Sequence, residues 1–291
     1  MIDETLLGLF QSLNQDAEIR ENYVRAPFGY PGAKFHSLDH ILPELPYRKK
    51  FGEVFGGSGK VLLARHASHF EVFNDKYSGV TCFYRVLRNK ELLQKLIERV
   101  EEVVHSREEF IWCKNTWKNC EDEVERAARW FYTIRMSFGA QCRNFGRSTE
   151  SPSMIRAYHN SIKLFPACHN RLGFVTIENQ DWRQCLNDYD DYDMVWYLDP
   201  EYWNTTRGMY EVELKKSEHI EILERIQSLK GFVAISSYPN ELYNGYEWDH
   251  VKTWEVKTST LAAAFHEENN LKGFENVLQR KNATEALYIK E

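Results

Sequence analysis

Val195-Trp196-Tyr197-Leu198-Asp199-Pro200-Glu201-Tyr202-Trp203 is the stretch that decides the fold. Its first four residues are apolar, β-branched or aromatic, which predicts a buried strand. The strand must end at Asp199-Pro200, because proline lacks the backbone N–H that a sheet ladder requires. A carboxylate, a carbonyl and an aromatic ring therefore follow a strand end, where open α/β sheets bind ligands. The alternative is a strand that simply ends in an Asp-Pro turn with core aromatics.

The length and composition are those of a globular protein. The chain has 291 residues, enough for one large domain or one domain with an insertion, and is 43% hydrophobic and 27% charged. No apolar run approaches the roughly 18–20 residues that span a bilayer. The acidic start, Met1–Glu4, lacks the features of a secretory signal. The six cysteines show no zinc-binding spacing, so we expect free thiols, no metal site and a cytoplasmic location.

The charge of the chain is segregated. The net charge of −6 argues against an evenly basic nucleic-acid-binding protein. Residues 129–174, however, contain seven arginines and lysines against Glu150 alone. A basic segment in an acidic protein predicts a surface for a polyanion, and an ordinary solvated face is the alternative.

A strand, a glycine turn and a helix are predicted around residues 51–69. The strand Phe51–Phe55 is followed by Gly56-Gly57-Ser58-Gly59, whose glycines allow a ligand to approach the backbone. A second strand then ends at Asn74-Asp75, where an acidic residue accepts ribose hydroxyls in Rossmann-like units. Neither dinucleotide- nor triphosphate-binding glycine pattern is present, which favours a ligand with a ribose and no phosphate. The alternative is a glycine turn needed only for tight packing.

The middle of the chain is predicted to be helical and to carry DNA contacts. Residues 78–142 are predicted to form several amphipathic helices, whereas a simple crossover between two parallel strands needs only one. They predict a doubly wound, Rossmann-like α/β core with a helical insertion at 78–171. The segment 135–148 is basic, and arginine, asparagine and glutamine can read base edges. We therefore expect this segment to contact DNA through Arg135, Gln141, Arg143, Asn144 and Arg147. The alternative is an ordinary basic surface loop.

Five motifs in order resemble those of one enzyme family, the Dam-like, alpha-ordered N6-adenine DNA methyltransferases. The resemblance covers about residues 24–290. The motifs, with the family features that they resemble, are Phe28–Lys34 (N-terminal cofactor motif), Glu53–Gly59 (glycine-rich cofactor loop), Asn74-Asp75 (ribose contact), Asn179 with Asp181 and Trp182 (adenine-ring contact) and Asp199–Tyr202 (catalytic D-P-P-Y).

The resemblance implies an S-adenosylmethionine-dependent enzyme that methylates adenine N6 in double-stranded DNA after flipping the base. It implies catalytic roles for Asp199, Pro200 and Tyr202. It implies cofactor contacts from Tyr30, Lys34, Phe55, Gly57, Gly59, Asn74, Asp75, Asp181 and Trp182. Residues 1–77 and 172–291 would form the catalytic domain, and 78–171 the target-recognition domain. The expected location is the cytoplasm of a bacterium or a phage-infected host cell.

Two positions depart from the family pattern. Glu201 replaces the second proline of D-P-P-Y, and Ala33 replaces a common glycine. Glu201 restores a backbone N–H and adds a negative charge beside the expected reaction. A DNA-binding relative with impaired catalysis is therefore one alternative, and a methyltransferase acting on RNA or another planar amine is a second.

Overall fold

A mixed sheet, parallel over its first five strands, organises the chain in a computed structural model, which describes residues 23–30, 37–146, 152–203, 214–257 and 282–291. Within these residues the sheet has seven strands in the order β3-β2-β1-β4-β5-β7-β6. The strands are β1 (Lys50–Val54), β2 (Phe70–Asn74), β3 (Val175–Glu178), β4 (Met194–Leu198), β5 (Phe232–Ser237), β6 (His250–Lys257) and β7 (Asn282–Lys290). β1–β5 are parallel, whereas β7 is antiparallel to both β5 and β6.

The strand order reverses between β1 and β4. β1 pairs with β2 on one side and with β4 on the other, so Val54 lies opposite both Asn74 and Leu198. In open α/β sheets a crevice forms outside the carboxyl ends of the strands at such a reversal. The backbone N–H of Asp199 donates to the carbonyl of Val54 at 3.2 Å. The residues that follow β1 and β4 therefore leave the sheet side by side.

Helices cover the sheet. They are α1 (Leu38–Ile41), α2 (Lys60–Ala64), α3 (Ser78–Arg88), α4 (Lys90–Glu101), α5 (Arg107–Thr116), α6 (Glu123–Met136), α7 (Ser153–Ile162), α8 (Phe165–Leu172), α9 (Trp182–Asp188), α10 (Lys216–Ile226) and α11 (Glu241–Asn244). The helices predicted between residues 78 and 142 are confirmed as α3–α6. No helix in the described part of the chain is long and apolar enough to cross a membrane.

Side chains of β4 alternate between two apolar clusters. Val195 and Tyr197 belong to one cluster, whereas Trp196 and Leu198 belong to the other. Because successive side chains of a strand point to opposite faces, the clusters lie on opposite sides of the sheet. All five residues of β4 are buried, as is usual for a parallel strand covered on both faces. The predicted buried strand before Asp199 is thereby confirmed.

The helices of residues 78–171 share a core with one face of the sheet. The first cluster joins Phe51 and Phe73 from the sheet to Phe83, Trp130 and Phe165 from the helices. The helical segment thus packs as a layer on the sheet.

A buried ion pair fixes the end of this helical layer. In α8, the Arg171 guanidinium donates to Glu71 of β2 at 2.5 and 2.9 Å and to the carbonyl of Leu62 at 2.6 Å. The Arg171 and Glu71 side chains are 9% and 3% exposed. One arginine therefore joins the helical layer, a strand and α2.

Candidate active site

The turn after β1 has an unusual backbone. Phe55, Gly57 and Gly59 have φ values of 60°, 51° and 60°. These angles suit glycine but strain a residue with a side chain, so Phe55 is held there by its surroundings. A Cβ atom at Gly57 would come within 2.8 Å of Tyr30 Cδ1. Gly57 is therefore required both by its conformation and by the ring of Tyr30 against it.

Asp75 holds this turn in place from the end of β2. Its carboxylate accepts hydrogen bonds from the backbone N–H groups of Gly57 and Tyr77, each at 2.7 Å. Burial raises the pKa of Asp75 to about 6, although these two hydrogen bonds act to lower it. A carboxylate offers about four acceptor positions, so two remain for the hydroxyl groups of a ligand.

Asn74 connects β2 to the turn after β3. Its side chain donates to the carbonyl of Gln180 at 3.3 Å and accepts from the Gln180 N–H at 3.0 Å. Asn179 returns a hydrogen bond to the carbonyl of Asp75 at 2.7 Å. The structure therefore brings the candidates Asn74 and Asp75 close to Asn179. The side chain of Asn74 joins the end of β2 to the turn after β3.

Asp181 and Trp182 begin α9. Asp181 caps the helix by accepting from the N–H of Arg183 at 3.1 Å, and the Arg183 guanidinium donates to the same oxygen at 3.1 Å. Trp182 is 5% exposed, and its ring lies 6.4 Å from that of Phe55. Trp182 thus packs near Phe55, the first residue of the turn after β1.

The residues after β4 form an aromatic wall. Pro200 is buried, and the ring of Tyr202 lies 4.6 Å from that of Tyr238 in an edge-to-face arrangement. The hydroxyl of Tyr202 donates to Glu285 of β7 at 3.4 Å. Burial, with the nearby charges of Asp199 and Glu285, raises the pKa of Tyr202 well above its usual value. Tyr202 is therefore a neutral phenol at physiological pH.

Glu285 is itself fixed by residues far away in the chain. It is 8% exposed, and it accepts a hydrogen bond from the hydroxyl of Ser37 at 2.5 Å. Ser37 in turn accepts from the indole N–H of Trp254 at 3.2 Å. The sequence prediction assigned no site role to Glu285 or Tyr238. Tyr238 follows the end of β5 as Tyr202 follows that of β4, and this signal could have identified it.

Glu53 is a third residue to which the sequence prediction gave no role of its own, although it begins the glycine-rich motif Glu53–Gly59. Its side chain is buried within β1 and accepts from the N–H of Leu62 at 2.7 Å. Burial, together with the negative charge of Asp199, raises the pKa of Glu53 to about 8, although the hydrogen bond from the Leu62 N–H acts to lower it. Glu53 is therefore largely protonated at neutral pH. An acidic residue inside an apolar strand was the available sequence signal.

Comparison with known proteins identifies the family of this site. A family model described as D12 class N6 adenine-specific DNA methyltransferase matches residues 30–283. The chain belongs to this family. The predicted family, adenine-methylating activity and Rossmann-like methyltransferase fold are thereby confirmed. A methyl donor and a DNA substrate follow from family membership.

Solved structures of another methyltransferase also resemble this one. Two are of the rRNA methyltransferase aviRa from Streptomyces viridochromogenes, each 12% identical in sequence. The first has a TM-score of 0.40 and covers 96% of this chain and 92% of its own. The second has a TM-score of 0.37 and covers 86% of this chain and 80% of its own. No curated protein matches the sequence.

The methyltransferase presents a tight loop at residues 137–146, after α6. The N–H of Phe138 donates to the carbonyl of Asn144 at 2.8 Å, and that of Gly146 donates to Met136 at 2.7 Å. Gly139, Ala140 and Cys142 have positive φ values. The loop exposes three kinds of side chain that can contact a nucleic acid, namely those of Phe138, Arg143 and Asn144.

The remaining DNA-binding candidates differ in their surroundings. Gln141 is half-buried in the same loop. Arg135 lies in α6, where its guanidinium donates to the carbonyl of Ala157 in α7 at 2.8 Å, and burial lowers its pKa. Arg135 thus joins two helices of the methyltransferase. Arg147 and the cofactor candidate Lys34 lie outside the described residues.

Proposed function

We propose that this methyltransferase transfers a methyl group from S-adenosylmethionine to adenine N6 in double-stranded DNA, in the crevice between β1 and β4. The observation that carries the proposal is the hydrogen bond from Asp199 N–H to the Val54 carbonyl. It supports a shared site because the glycine turn and the catalytic motif begin at these two residues. S-adenosylmethionine supplies an electrophilic sulfonium methyl group when it is bound.

The residues after β1, β2 and β3 suit a nucleoside. Gly57 and Gly59 allow the left-handed backbone of the turn after β1, and the ring of Tyr30 packs against Gly57. Asp75 keeps two acceptor positions for ribose hydroxyls while it holds the turn. Phe55, Asn74, Asp181 and Trp182 support this surface through the contacts described above. This combination of a glycine turn, a buried acceptor and a ring supports S-adenosylmethionine as the methyl donor.

Asp199 and Pro200 are proposed to act on the adenine amino group. The exocyclic nitrogen is a poor nucleophile because its lone pair is delocalised into the ring. The Asp199 carboxylate and the Pro200 carbonyl accept its two hydrogens, which directs the lone pair towards the methyl group. The same acceptors stabilise the positive charge that develops on nitrogen. Alignment of the two reactants supplies much of the remaining acceleration.

Tyr202 is proposed to stack on the adenine after the base has left the duplex. An enzyme that modifies a base atom must extrude the nucleotide from the stack. The ring of Tyr202 is fixed by an edge-to-face contact with Tyr238 and by the hydrogen bond of its hydroxyl to Glu285. A ring held at two points loses little conformational freedom when a base stacks on it, which favours binding.

Replacement of Asp199 tests the proposal. We expect Asp199→Asn to slow formation of N6-methyladenine in duplex DNA by about 10²–10³-fold or more, because a charged acceptor is lost. Mass spectrometry of the nucleosides measures the product, and thermal unfolding checks that the fold is intact. Asp193→Asn is the matched control, since Asp193 is exposed and immediately precedes the same strand. Full activity of Asp199→Asn would contradict the proposed role.

A second candidate function is DNA binding with impaired catalysis, and Glu201 is the feature that favours it. Glu201 accepts a hydrogen bond from the N–H of Leu214 at 3.3 Å, so it connects the catalytic motif to the start of α10. Glu201→Pro restores the family's proline and distinguishes the two functions. Our proposal expects the wild-type protein to methylate DNA without a large gain from this change. Activity that appears only in Glu201→Pro would support the second candidate.

The proposed substrate also suggests where the enzyme acts. Double-stranded DNA is accessible in the cytoplasm of a bacterium or of a phage-infected host cell, and we propose this location.

A further inference from the structure

A basic pocket lies between the end of α5 and the loop of residues 137–146. It has a volume of about 470 Å³, within the range of small-ligand sites. Three cations and two amides contribute to its walls, namely Lys114, Lys118, Arg143, Asn115 and Asn144. The sequence prediction named only the two loop residues among these. The contribution of α5 and the turn after it arises from the tertiary structure.

The charge of this pocket contrasts with that of the protein. None of the described residues that line it is acidic, although the chain has a net charge of −6. Lys114 Nζ donates to the carbonyl of Arg143 at 3.1 Å. An ammonium group has three donors, so this bond fixes Lys114 and leaves two donors for a ligand. The pocket therefore concentrates positive charge in a concave surface, which attracts anions.

Trp117 provides a rigid base for the pocket. Its ring is 2% exposed, and Lys118 Nζ lies 5.5 Å from the ring centroid. The guanidinium of Arg126, in α6, lies 5.8 Å from the same centroid, so α6 also contributes positive charge near the pocket. Cations near an aromatic ring are favoured by its quadrupole. The positive charge is thus held by packing against α6 and the turn after α5.

Tyr77 connects the pocket to the ligand-binding edge of the sheet. Its ring lies 5.6 Å from that of Trp117, and its backbone N–H donates to Asp75 at 2.7 Å. The pocket therefore extends from the end of β2 to the loop of residues 137–146. The proposed function places DNA at the crevice, and the sequence analysis expects DNA contacts from this loop, so a duplex that reached both would pass over the pocket.

We propose that this pocket is a phosphate clamp, in which Lys114, Lys118 and Arg143 bind the sugar-phosphate backbone of the substrate DNA beside the target adenine. The clamp rests on the proposed function, because DNA is its ligand. Contacts to phosphate fix the position and orientation of a protein on a duplex and carry no sequence information. The clamp thus sets the register in which the loop meets the bases.

Neutralising the two lysines of α5 and its following turn tests the clamp. We expect Lys114→Gln/Lys118→Gln to lower the slope of log Kd against log salt by about 1.8, because two phosphate contacts are lost. The probe is a short adenine-containing duplex, and fluorescence anisotropy measures its Kd over a series of salt concentrations. We expect Lys118→Gln alone to lower the slope by about 0.9. The Kd for S-adenosylmethionine is expected to remain at the wild-type value.

The matched control is Lys90→Gln/Lys95→Gln, which removes two exposed lysines from α4 of the same helical segment. A slope for Lys114→Gln/Lys118→Gln equal to that of this control would overturn the clamp, whether or not the wild-type enzyme methylates DNA. A lowered slope with no N6-methyladenine from the wild-type enzyme would retain the clamp and overturn the proposed function.

Discussion

Glu53 and Asp199 form a pair of carboxyl groups in different environments at the scale of single residues. Glu53 is 3% exposed and has a pKa of about 8, raised mainly by burial and further by the charge of Asp199. It is therefore largely neutral when the protein is at physiological pH. A neutral Glu53 spares the crevice a second negative charge beside the one that is proposed to act on adenine.

This protonation state predicts a pH dependence of stability. The pKa of Glu53 rises from 4.5 to about 8 on folding, so the native state binds the extra proton between these values. The free energy of unfolding therefore decreases as pH rises through this window, by up to about 1.4 kcal/mol per pH unit. Glu53→Gln imitates the protonated form, and we expect it to remove this contribution.

Urea unfolding at a series of pH values measures the effect of Glu53→Gln. Glu121→Gln is the control, because Glu121 is exposed and lies outside the sheet. If Glu53→Gln kept the wild-type decrease in stability with rising pH, the assignment of a neutral Glu53 would be wrong.

The turn after β1 is the decisive element of the candidate site. Gly57 has a φ value of 51°, and a Cβ atom there would lie 2.8 Å from Tyr30 Cδ1. We expect Gly57→Ala to lower the free energy of unfolding by about 1–2 kcal/mol, because an L-residue is strained in this conformation. We also expect weaker binding of S-adenosylmethionine, since Tyr30 must move.

Calorimetry measures both consequences of Gly57→Ala. The control is Gly173→Ala at the end of α8, where φ is −51° and an added Cβ would meet its nearest neighbour at 3.4 Å. Unchanged affinity for S-adenosylmethionine in Gly57→Ala would argue against a cofactor role for this turn.

The shared core governs the behaviour of the whole molecule. Trp130 in the helical layer and Phe51 and Phe73 in the sheet belong to one apolar cluster, and Arg171 bonds to both Glu71 and Leu62. We therefore expect the helical segment and the sheet to unfold together. Far-ultraviolet circular dichroism and tryptophan fluorescence should then report one coincident transition. Two separate transitions would instead indicate that residues 78–171 fold as an independent domain.

Arg171→Met should destabilise that single transition. Removal of Arg171 takes two hydrogen bonds away from the buried carboxylate of Glu71 and leaves Arg65, at 3.6 Å, to compensate its charge, so we expect a loss of about 1.5–3 kcal/mol. Denaturant unfolding followed by both probes measures the loss. Arg183→Met is the control, because the Arg183–Glu221 pair is partly exposed and such surface pairs contribute about 0–1 kcal/mol. Equal losses in the two variants would contradict the importance of the buried pair.

The sequence by itself determined the local elements and the family. The apolar run before Asp199 specified a buried strand, and proline ended it because it cannot donate to the ladder. The glycines of residues 56–59 specified a turn after the strand, and Gly57 and Gly59 have positive φ values in it. These features depend on backbone chemistry and on side-chain periodicity, which are properties of neighbouring residues. The order of the motifs then carried the resemblance to adenine methyltransferases that the family model confirms.

Only the tertiary structure decided which distant residues complete each site. Glu285 meets Tyr202 across 83 positions of the chain, and Lys114 meets Arg143 across 29. Arg135 appeared in the sequence as one more basic residue, yet its guanidinium bonds to Ala157 inside the helical layer. Burial and long-range pairing depend on how elements pack, and no local pattern records them. The stretch from Val195 to Trp203 therefore identified the crevice, whereas packing supplied the neutral Glu53, the support of Tyr202 and the basic pocket beside them.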